Sequence, residues 1–150
     1  MKRLSHIDAN GAAAMVDVSG KPVTHRRAIA RGEIRLHKST IRLMEREQIA
    51  KGNVLAAARL AGIMAAKRTA DLIPLCHPLP LTHCEVNFEI PKTQDRIKIS
   101  ASARISAQTG IEMEALVAVS VAALTIYDMC KAVDKSMRID GIELVSKTKI

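Results

Sequence analysis

The sequence predicts an α+β domain in which helices cover one face of an antiparallel sheet, with elements in the order βααββαβ. In four segments apolar residues alternate with polar ones, as in strands with one buried face. Helical spacing recurs between them, and a short turn joins the two central strands as a hairpin. The simplest two-layer arrangement of these elements is a ferredoxin-like sheet.

The composition is typical of a single folded domain with an anionic partner. The chain has 150 residues, 48 % of them hydrophobic, which is enough for a substantial core. Its 23 Lys and Arg against 15 Asp and Glu give a formal charge of +8, and such an excess favours anionic ligands. Phe88 and Tyr127 are the only Phe, Tyr or Trp residues, which argues against a protein that stacks bases on aromatic side chains.

Cysteine usage and hydropathy predict a cytoplasmic protein that does not enter a membrane. Three cysteines without a Cys-x-x-Cys pair argue against a disulfide framework and indicate a reducing compartment. No apolar core follows Lys2 and Arg3, as a signal peptide requires. The longest nearly apolar run, Ala115 to Tyr127, is shorter than the roughly 18 residues of a membrane span.

The N-terminal third predicts an arm, a strand and two helices. Residues 1–23 lack periodicity, which indicates a flexible arm before a single domain over 24–150. Alternation over 28–36 predicts the first strand. A helix follows this strand; it is capped by Ser39 or Thr40 and reaches Ala50. A second helix, over 54–69, is capped by Asn53.

The remaining elements are a loop, a hairpin, a long helix and a last strand. Three prolines exclude regular structure over 72–81. Alternation over 83–90 and 97–105 predicts the hairpin strands. Thr109 and Glu112 form a capping-box pattern that opens a helix over 111–133. The final strand covers 137–147, and a shift of its apolar phase predicts a bulge at Gly141.

The proline-rich loop contains a candidate acid, base or phosphate contact, His77. A histidine that only satisfies loop carbonyls is the alternative. Cys76, His77, His83 and Cys84 are all zinc-ligand types, but neighbours on a strand point to opposite faces, and the spacing matches no structural zinc pattern. We therefore predict no metal site.

Lysines and carboxylates near helix ends form a second set of candidates. Lys51 precedes the amides that open the second helix, where the helix dipole favours proton loss from an ammonium; a solvated lysine is the alternative. Glu114 and Asp128 lie on one helix, 14 residues and about 21 Å apart. If both act on one ligand, the site joins two subunits. A capping role for Glu112 and an exposed ion pair between Asp128 and Lys131 are the alternatives.

A basic cluster near the arm is a further candidate. Its residues, Lys21, His25, Arg26 and Arg27, either bind an anion or are solvated surface.

Two further function classes compete with an enzyme. RNA-recognition domains have basic charge and the related order βαββαβ, but the outward positions of the central strands here lack the aromatic residues that stack bases. A non-catalytic oligomeric scaffold is the second alternative.

Six ordered segments of the chain closely resemble one enzyme family. These segments are Met15 to Ser19 with Lys21 and Arg26, Lys51 to Val54, Ala65 to Thr69, Leu72 to Leu79, Thr109 to Ala115, and Ala122 to Lys131. Their sequences and separations are similar to those of cyclic pyranopterin monophosphate synthase, the molybdenum cofactor biosynthesis protein C family. The similarity extends from His6 to Lys147.

The resemblance implies a ferredoxin-like subunit in a homohexamer, a trimer of dimers, with active sites at subunit interfaces. It implies conversion of (8S)-3′,8-cyclo-7,8-dihydroguanosine 5′-triphosphate to cyclic pyranopterin monophosphate with release of diphosphate. The sequence requires no cofactor and leaves open whether Mg²⁺ accompanies the triphosphate. The implied catalytic residues are Lys51, His77, Glu112, Asp128 and Lys131. The implied substrate-binding residues are Lys21, Arg26, Lys67, Leu75, Cys76, His77, Met113, Glu114 and Lys147.

Overall fold

The computed structural model describes residues 6–149 and contains four strands and four helices. The first five residues of the predicted arm and the last residue of the predicted domain lie outside this range. The elements are β1 (Thr24–Arg35), α1 (Lys38–Glu45), α2 (Val54–Lys67), α3 (Thr69–Leu72), β2 (His83–Glu89), β3 (Arg96–Ala107), α4 (Glu112–Cys130) and β4 (Arg138–Lys149).

The strands form one antiparallel sheet in the order β2-β3-β1-β4. Strand β1 is central and pairs with β3 from Thr24 opposite Ala107 to Arg35 opposite Arg96. Strands β2 and β3 form the predicted hairpin. Helices α2 and α4 pack against each other and against the sheet. The predicted α+β class and ferredoxin-like arrangement are confirmed.

Small aliphatic side chains build the core between the sheet and the helices. Two glycines permit the close approach that this core requires. A Cβ atom on Gly62 would lie 2.8 Å from the carbonyl oxygen of Ala118, and one on Gly32 would lie 2.9 Å from Cγ1 of Val119. Helix α4 is thereby held tightly between α2 and β1. The strand residues buried beneath the helices include Ala28, Ala30, Ile34, Val86, Ile97, Ile99, Ala101, Ala103 and Ile105.

The start of α1 corrects one prediction. His37 precedes the helix and makes no capping bond with its side chain, and Ser39 and Thr40 lie inside the first turn. Asp134 caps the helix instead: its Oδ2 accepts hydrogen bonds from the His37 amide at 2.8 Å and from the Thr40 hydroxyl at 3.0 Å. The predicted local cap is wrong because a buried carboxylate after α4 supplies these acceptors.

The boundaries of the next helices also differ in detail. Helix α1 ends at Glu45 rather than at residue 50, and the left-handed backbone of Glu47, with φ 53°, follows it. The predicted cap of α2 is confirmed, because Oδ1 of Asn53 accepts a hydrogen bond from the Ala56 amide at 3.0 Å. Instead of running to residue 69, α2 ends at Lys67, and the four-residue α3 follows.

The predicted capping box of α4 is wrong. Ile111 precedes the helix and forms no side-chain cap. The Glu112 carboxylate accepts a hydrogen bond from Lys147 Nζ on β4 rather than closing on Thr109. This ion pair across the fold replaces the local interaction that the sequence pattern favoured. The helix ends at Cys130, three residues before the predicted end.

Strand β4 is an irregular edge strand. Its register with β1 shifts where β1 residues 31–33 face β4 residues 140–143, and Gly141 there has φ 63°. The predicted bulge is confirmed. A second shift lies between Ile29 and Ala30, opposite Val145, which the sequence did not predict. The strand also continues two residues past Lys147.

Helix α4 has the length and composition of a membrane span, although its apolar run alone is shorter. Somewhat more than half of the tested window is buried within the fold. The helix thus forms the core of this domain. Across residues 6–149, no three His, Cys, Asp or Glu side chains converge as a metal ion requires.

The arm preceding β1 is irregular over residues 6–23, apart from one isolated bridge between Ile7 and Ala13. Domain side chains hold its second half by hydrogen bonds to the carbonyl oxygens of Val16, Ser19 and Lys21. The flexibility of this arm stays a prediction.

Candidate active site

One candidate cluster consists of a carboxylate between two ammonium groups. Asp128 accepts a hydrogen bond from Lys51 Nζ on Oδ2 and forms an ion pair with Lys131 Nζ on Oδ1, each at 2.7 Å. The two lysines lower the pKa of Asp128 to about 2, with Lys131 contributing most. In return Asp128 raises the pKa of Lys131. We call these three residues the lysine-aspartate cluster.

Local structure explains why these side chains meet. Asp128 and Lys131 are three residues apart at the end of α4, which places them on one face of the helix. Lys51 lies in the turn between α1 and α2, where Gly52 adopts φ 98°. Lys51 Nζ also donates to the Asp128 carbonyl oxygen at 3.0 Å. Roughly half of each side chain is exposed, so a ligand can reach the cluster.

The opposite end of α4 carries a second group of predicted site residues. Glu114 is only 4 % exposed, and burial raises the pKa of its carboxyl group. For Glu112, burial also acts to raise the pKa, but the hydrogen bond from Lys147 at 2.5 Å, a backbone hydrogen bond and the charges of Lys147 and Arg26 together outweigh it and leave the pKa lowered. The two neighbouring carboxyl groups therefore differ in pKa, which is raised for Glu114 and lowered for Glu112.

The proline-rich loop packs beside these carboxyls. Burial raises the pKa of the Cys76 thiol, and the charges of Glu114 and Glu112 raise it further. His77 Nε2 lies 2.7 Å from the Val16 carbonyl oxygen. A carbonyl oxygen only accepts, so Nε2 is the donor and carries a proton in this arrangement. One ring nitrogen of His77 therefore binds a carbonyl of the arm, rather than a carbonyl of its own loop as in the alternative given for this residue.

Basic residues border the same end of the helix. Arg26, Glu112 and Lys147 line a small cleft of about 150 Å³. Lys67 lines a larger cleft of about 380 Å³ together with Glu114 and Pro78. Leu75 and Met113 are half-buried in the loop and the first turn of α4. We call the group at this end of α4 the carboxylate-loop cluster. Its members are Arg26, Lys67, Leu75, Cys76, His77, Glu112, Met113, Glu114 and Lys147.

Gln108 connects the arm to this cluster. Its side-chain amide donates to the carbonyl oxygens of Ser19 at 3.1 Å and Lys21 at 3.0 Å. Arg26 in turn donates to the carbonyls of Ala107 at 3.1 Å and Gln108 at 3.0 Å. The sequence offered no signal for Gln108, because its role depends on a contact 87 residues away in the chain.

The subunit does not bring the two clusters together. Glu114 and Asp128 are separated by 14 residues of continuous helix, which corresponds to about 21 Å along the axis. Lys51, Asp128 and Lys131 meet at one end, and the other predicted residues lie at or near the opposite end. The separation predicted from the sequence is thus present in the folded chain.

The model of the MoaC family matches residues 15–149, which include both clusters. The chain belongs to the MoaC family.

Close relatives extend the match to almost the full chain. A cyclic pyranopterin monophosphate synthase of Chloroflexus aggregans is 59 % identical over 145 residues, covering 97 % of this chain and 88 % of the relative. One of Heliobacterium modesticaldum is 57 % identical over 148 residues, with 99 % and 93 % covered. One of Thermomicrobium roseum is 56 % identical over 147 residues, with 98 % and 89 % covered. The resemblance to this family in the sequence is confirmed.

Proposed function

We propose that this MoaC family member is a lyase of molybdenum cofactor biosynthesis. It converts (8S)-3′,8-cyclo-7,8-dihydroguanosine 5′-triphosphate to cyclic pyranopterin monophosphate and releases diphosphate. The observation that carries the proposal is the lysine-aspartate cluster, in which two ammonium groups share one carboxylate at 2.7 Å each. Relatives that carry the name of this activity and are 56–59 % identical support it.

The lysine-aspartate cluster supplies the proton transfers. Asp128 stays ionised at neutral pH because its pKa is about 2, so it holds both ammonium groups in place. Lys131, with its raised pKa, enters the reaction protonated and acts as an acid or as a counter-charge to a developing anion. Lys51 is the second proton-transfer group, since it contacts the same carboxylate from the opposite oxygen.

The carboxylate-loop cluster binds the substrate. Lys21, Arg26, Lys67 and Lys147 bind the triphosphate, since guanidinium and ammonium groups are the usual partners of phosphoryl oxygens. Lys147 is paired with Glu112 in the free protein, so the triphosphate competes with that carboxylate for the ammonium. His77 and Glu112 take part in proton movement at this end. The residues that line the ring system are Leu75, Cys76, His77, Met113 and Glu114.

The active site is composite. The separation of about 21 Å between Glu114 and Asp128 exceeds what one small substrate spans at a single reacting centre. A two-fold axis across α4 would set the lysine-aspartate cluster of one subunit beside the carboxylate-loop cluster of its partner. Exposed Leu60, Met64 and Leu124 supply apolar surface on α2 and α4 for such contact. The full assembly in this proposal is a homohexamer, a trimer of dimers.

The partner is a small nucleotide-derived molecule, not a nucleic acid or a membrane. The proposed reaction requires no cofactor bound to the protein, and any Mg²⁺ enters with the triphosphate. The three cysteines are free thiols, which fits a reducing cytoplasm.

The test is turnover by the purified protein. We would incubate it with the cyclic dihydroguanosine triphosphate and quantify diphosphate and the pterin product by liquid chromatography. Equal amounts of both products are expected. Diphosphate without pterin would indicate a simple phosphohydrolase, and unchanged substrate would contradict the proposal. GTP is the matched control substrate, from which neither product is expected.

A further inference from the structure

The basic cluster that the sequence indicated is divided between the two faces of the sheet. Arg26 follows the inward phase of β1 and donates to the loop before α4. His25 and Arg27 follow the other phase and lie exposed on the face away from the helices. The proposed reaction uses Arg26 and leaves His25 and Arg27 without a role.

Arg27 belongs to a basic row that crosses the whole sheet, and His25 lies beside that row. In the strand register, His83 is opposite Arg104, Arg104 is opposite Arg27, and Arg27 is opposite Thr148. Residues directly opposite in antiparallel strands share a face, with Cβ atoms about 4.5–5.5 Å apart. His25 is opposite Ser106 in the next position along β1 and β3.

The two arginines of this row form no ion pair within residues 6–149, although the charge of Arg104 acts on nearby Glu85 and helps to lower its pKa. Like charges directly opposite each other destabilise a sheet. Within residues 6–149, neither Arg27 nor Arg104 has a carboxylate within ion-pair distance. The acidic neighbour, Glu85, is engaged by His83 at 3.6 Å and by Asn87 at 2.6 Å.

A third arginine provides an internal comparison. Arg31 lies on the same strand and the same face, and its guanidinium pairs with Glu143. The only hydrogen bond of the Arg27 guanidinium is a long one, 3.4 Å, to the Ser102 hydroxyl within the described part of the chain. The sheet thus neutralises Arg31 with a carboxylate and leaves Arg27 available.

A cleft of about 420 Å³ lies over this row, and the groups around it are suited to an oxyanion. A guanidinium group is planar and can donate two parallel hydrogen bonds to two oxygens of one phosphoryl group. His25 Nδ1 shares a 2.7 Å hydrogen bond with Ser106, which orients the ring beside them. The residues of the row and cleft that donate hydrogen bonds are His25, Arg27, Thr82, His83, Arg104 and Thr148.

We propose that this outer face binds a phosphoryl group at a site separate from the substrate triphosphate cluster. Two guanidinium groups that form no ion pair with any residue of 6–149, flanked by imidazoles and hydroxyls, form the binding surface. The phosphoryl group comes from free diphosphate, which the proposed reaction releases, or from a phosphate monoester. Arg26 lines this cleft as well, but its guanidinium donates to the Ala107 and Gln108 carbonyls. The proposal does not depend on that reaction, since neither Arg27 nor Arg104 is assigned to the substrate.

The test follows histidine ring signals by NMR during separate titrations with inorganic phosphate, inorganic diphosphate and ribose 5-phosphate. In the wild type, saturable shifts of the His25 and His83 signals are expected, and the titration of lowest midpoint identifies the source of the phosphoryl group. Arg27→Gln with Arg104→Gln should raise that midpoint at least tenfold. Arg31→Gln is the matched control and should leave it within twofold.

Two results would overturn the proposal: shifts confined to His77, or an unchanged midpoint in the double variant. Because the double variant removes a repulsion, it should unfold at or above the wild-type temperature. If it does not fold, Arg27→Gln alone decides the question, with a midpoint raised at least threefold expected and an unchanged one counting against the site.

Discussion

Asp128 determines how the candidate proton-transfer groups are arranged. Its two oxygens hold one ammonium group each, and both lysines come from exposed positions that contribute nothing to the core. Replacing either lysine should therefore lower the reaction rate while changing the free energy of unfolding little. This makes the cluster suitable for substitution experiments.

We predict that Lys51→Ala and Lys131→Ala each lower turnover by about 10²–10⁴-fold, because each removes a proton-transfer group. Their thermal unfolding should stay close to that of the wild type, since the side chains are about half exposed. Steady-state product formation and circular dichroism measure the two effects. Lys135→Ala, which changes an exposed lysine four residues after Lys131, is the control. Wild-type rates in both main variants would refute the mechanism.

A second prediction concerns the buried carboxyl of Glu114. Burial raises its pKa above 4.5, so the folded state binds the proton more readily than the unfolded state does. Stability is then lost as pH rises from the unfolded pKa through the folded pKa. Glu114→Gln removes this loss, and we expect its unfolding temperature to exceed that of the wild type at pH 7 and to converge with it near pH 4.

Glu112→Gln is the control with the opposite sign. Its pKa is lowered in the folded state, so the ionised carboxylate stabilises the fold above the unfolded pKa. The variant should therefore unfold below the wild type at pH 7 and converge with it in acid. Unfolding temperatures that respond alike in the two variants would contradict this account of the pair.

At the scale of elements, Asp134 joins the beginning of α1 to the end of α4. Burial acts to raise the pKa of its carboxyl, but hydrogen bonds from His37, Ser136 and Thr40 outweigh this and lower it to about 2. The residue lies three positions after Lys131. The same contacts that cap α1 therefore hold the turn after α4, which begins with Lys131 of the lysine-aspartate cluster.

We predict that Asp134→Ala lowers the free energy of unfolding by roughly 3 kcal/mol, because several donors lose a charged acceptor. Chemical denaturation measures this change. The lowered pKa means that the stabilising contribution of Asp134 is present above 3.8 and is lost as pH falls through about 2. The difference between the two proteins should shrink accordingly in acid.

Asp134→Asn tests whether the acceptor geometry or the charge matters. It keeps one acceptor oxygen and the side-chain shape, so a smaller loss than in the alanine variant is expected. Equal stability of Asp134→Ala and the wild type at pH 7 would show that the cap of α1 comes from elsewhere.

Periodicity in the sequence was sufficient to predict the four strands and the hairpin, although β1 begins at Thr24 rather than at residue 28. Those elements depend on which face is buried, and alternation records that directly. The two wrong caps have a common cause. Glu112 binds Lys147 and Thr40 binds Asp134, so both predicted local partners are engaged by residues distant in the chain. Such long-range contacts leave no local pattern.

The candidate site was predictable to a similar extent. Every residue of the lysine-aspartate cluster was implied by the family resemblance, and the ion pair between Asp128 and Lys131 followed from helix spacing alone. Gln108 and the Val16 carbonyl were not predicted. Both act through contacts between the arm and the domain, for which the sequence holds no periodic signal.

For the whole molecule, the length of α4 leads to a prediction about assembly. Glu114→Gln and Lys131→Ala should each be inactive alone and should regain activity when mixed and allowed to exchange subunits. In a composite site, half of randomly formed dimers are mixed and one of their two sites carries neither lesion. We therefore expect about a quarter of wild-type activity at equal mixing.

The control mixes Lys51→Ala with Lys131→Ala. These residues meet within one chain, so every site in a mixed dimer keeps one lesion and no activity should return. Mass spectrometry would verify that mixed oligomers form in both experiments. Failure of the first pair to complement, with mixed oligomers present, would mean that each site draws on one chain.

The scarcity of aromatic residues has an experimental consequence. The protein has no tryptophan and a single tyrosine, Tyr127, which is partly buried in α4 and immediately precedes Asp128. Its intrinsic fluorescence therefore arises from one side chain beside the lysine-aspartate cluster, without background from elsewhere in the fold. Emission intensity and anisotropy can report occupancy of that end of the helix in the unlabelled protein, in stopped-flow as well as at equilibrium.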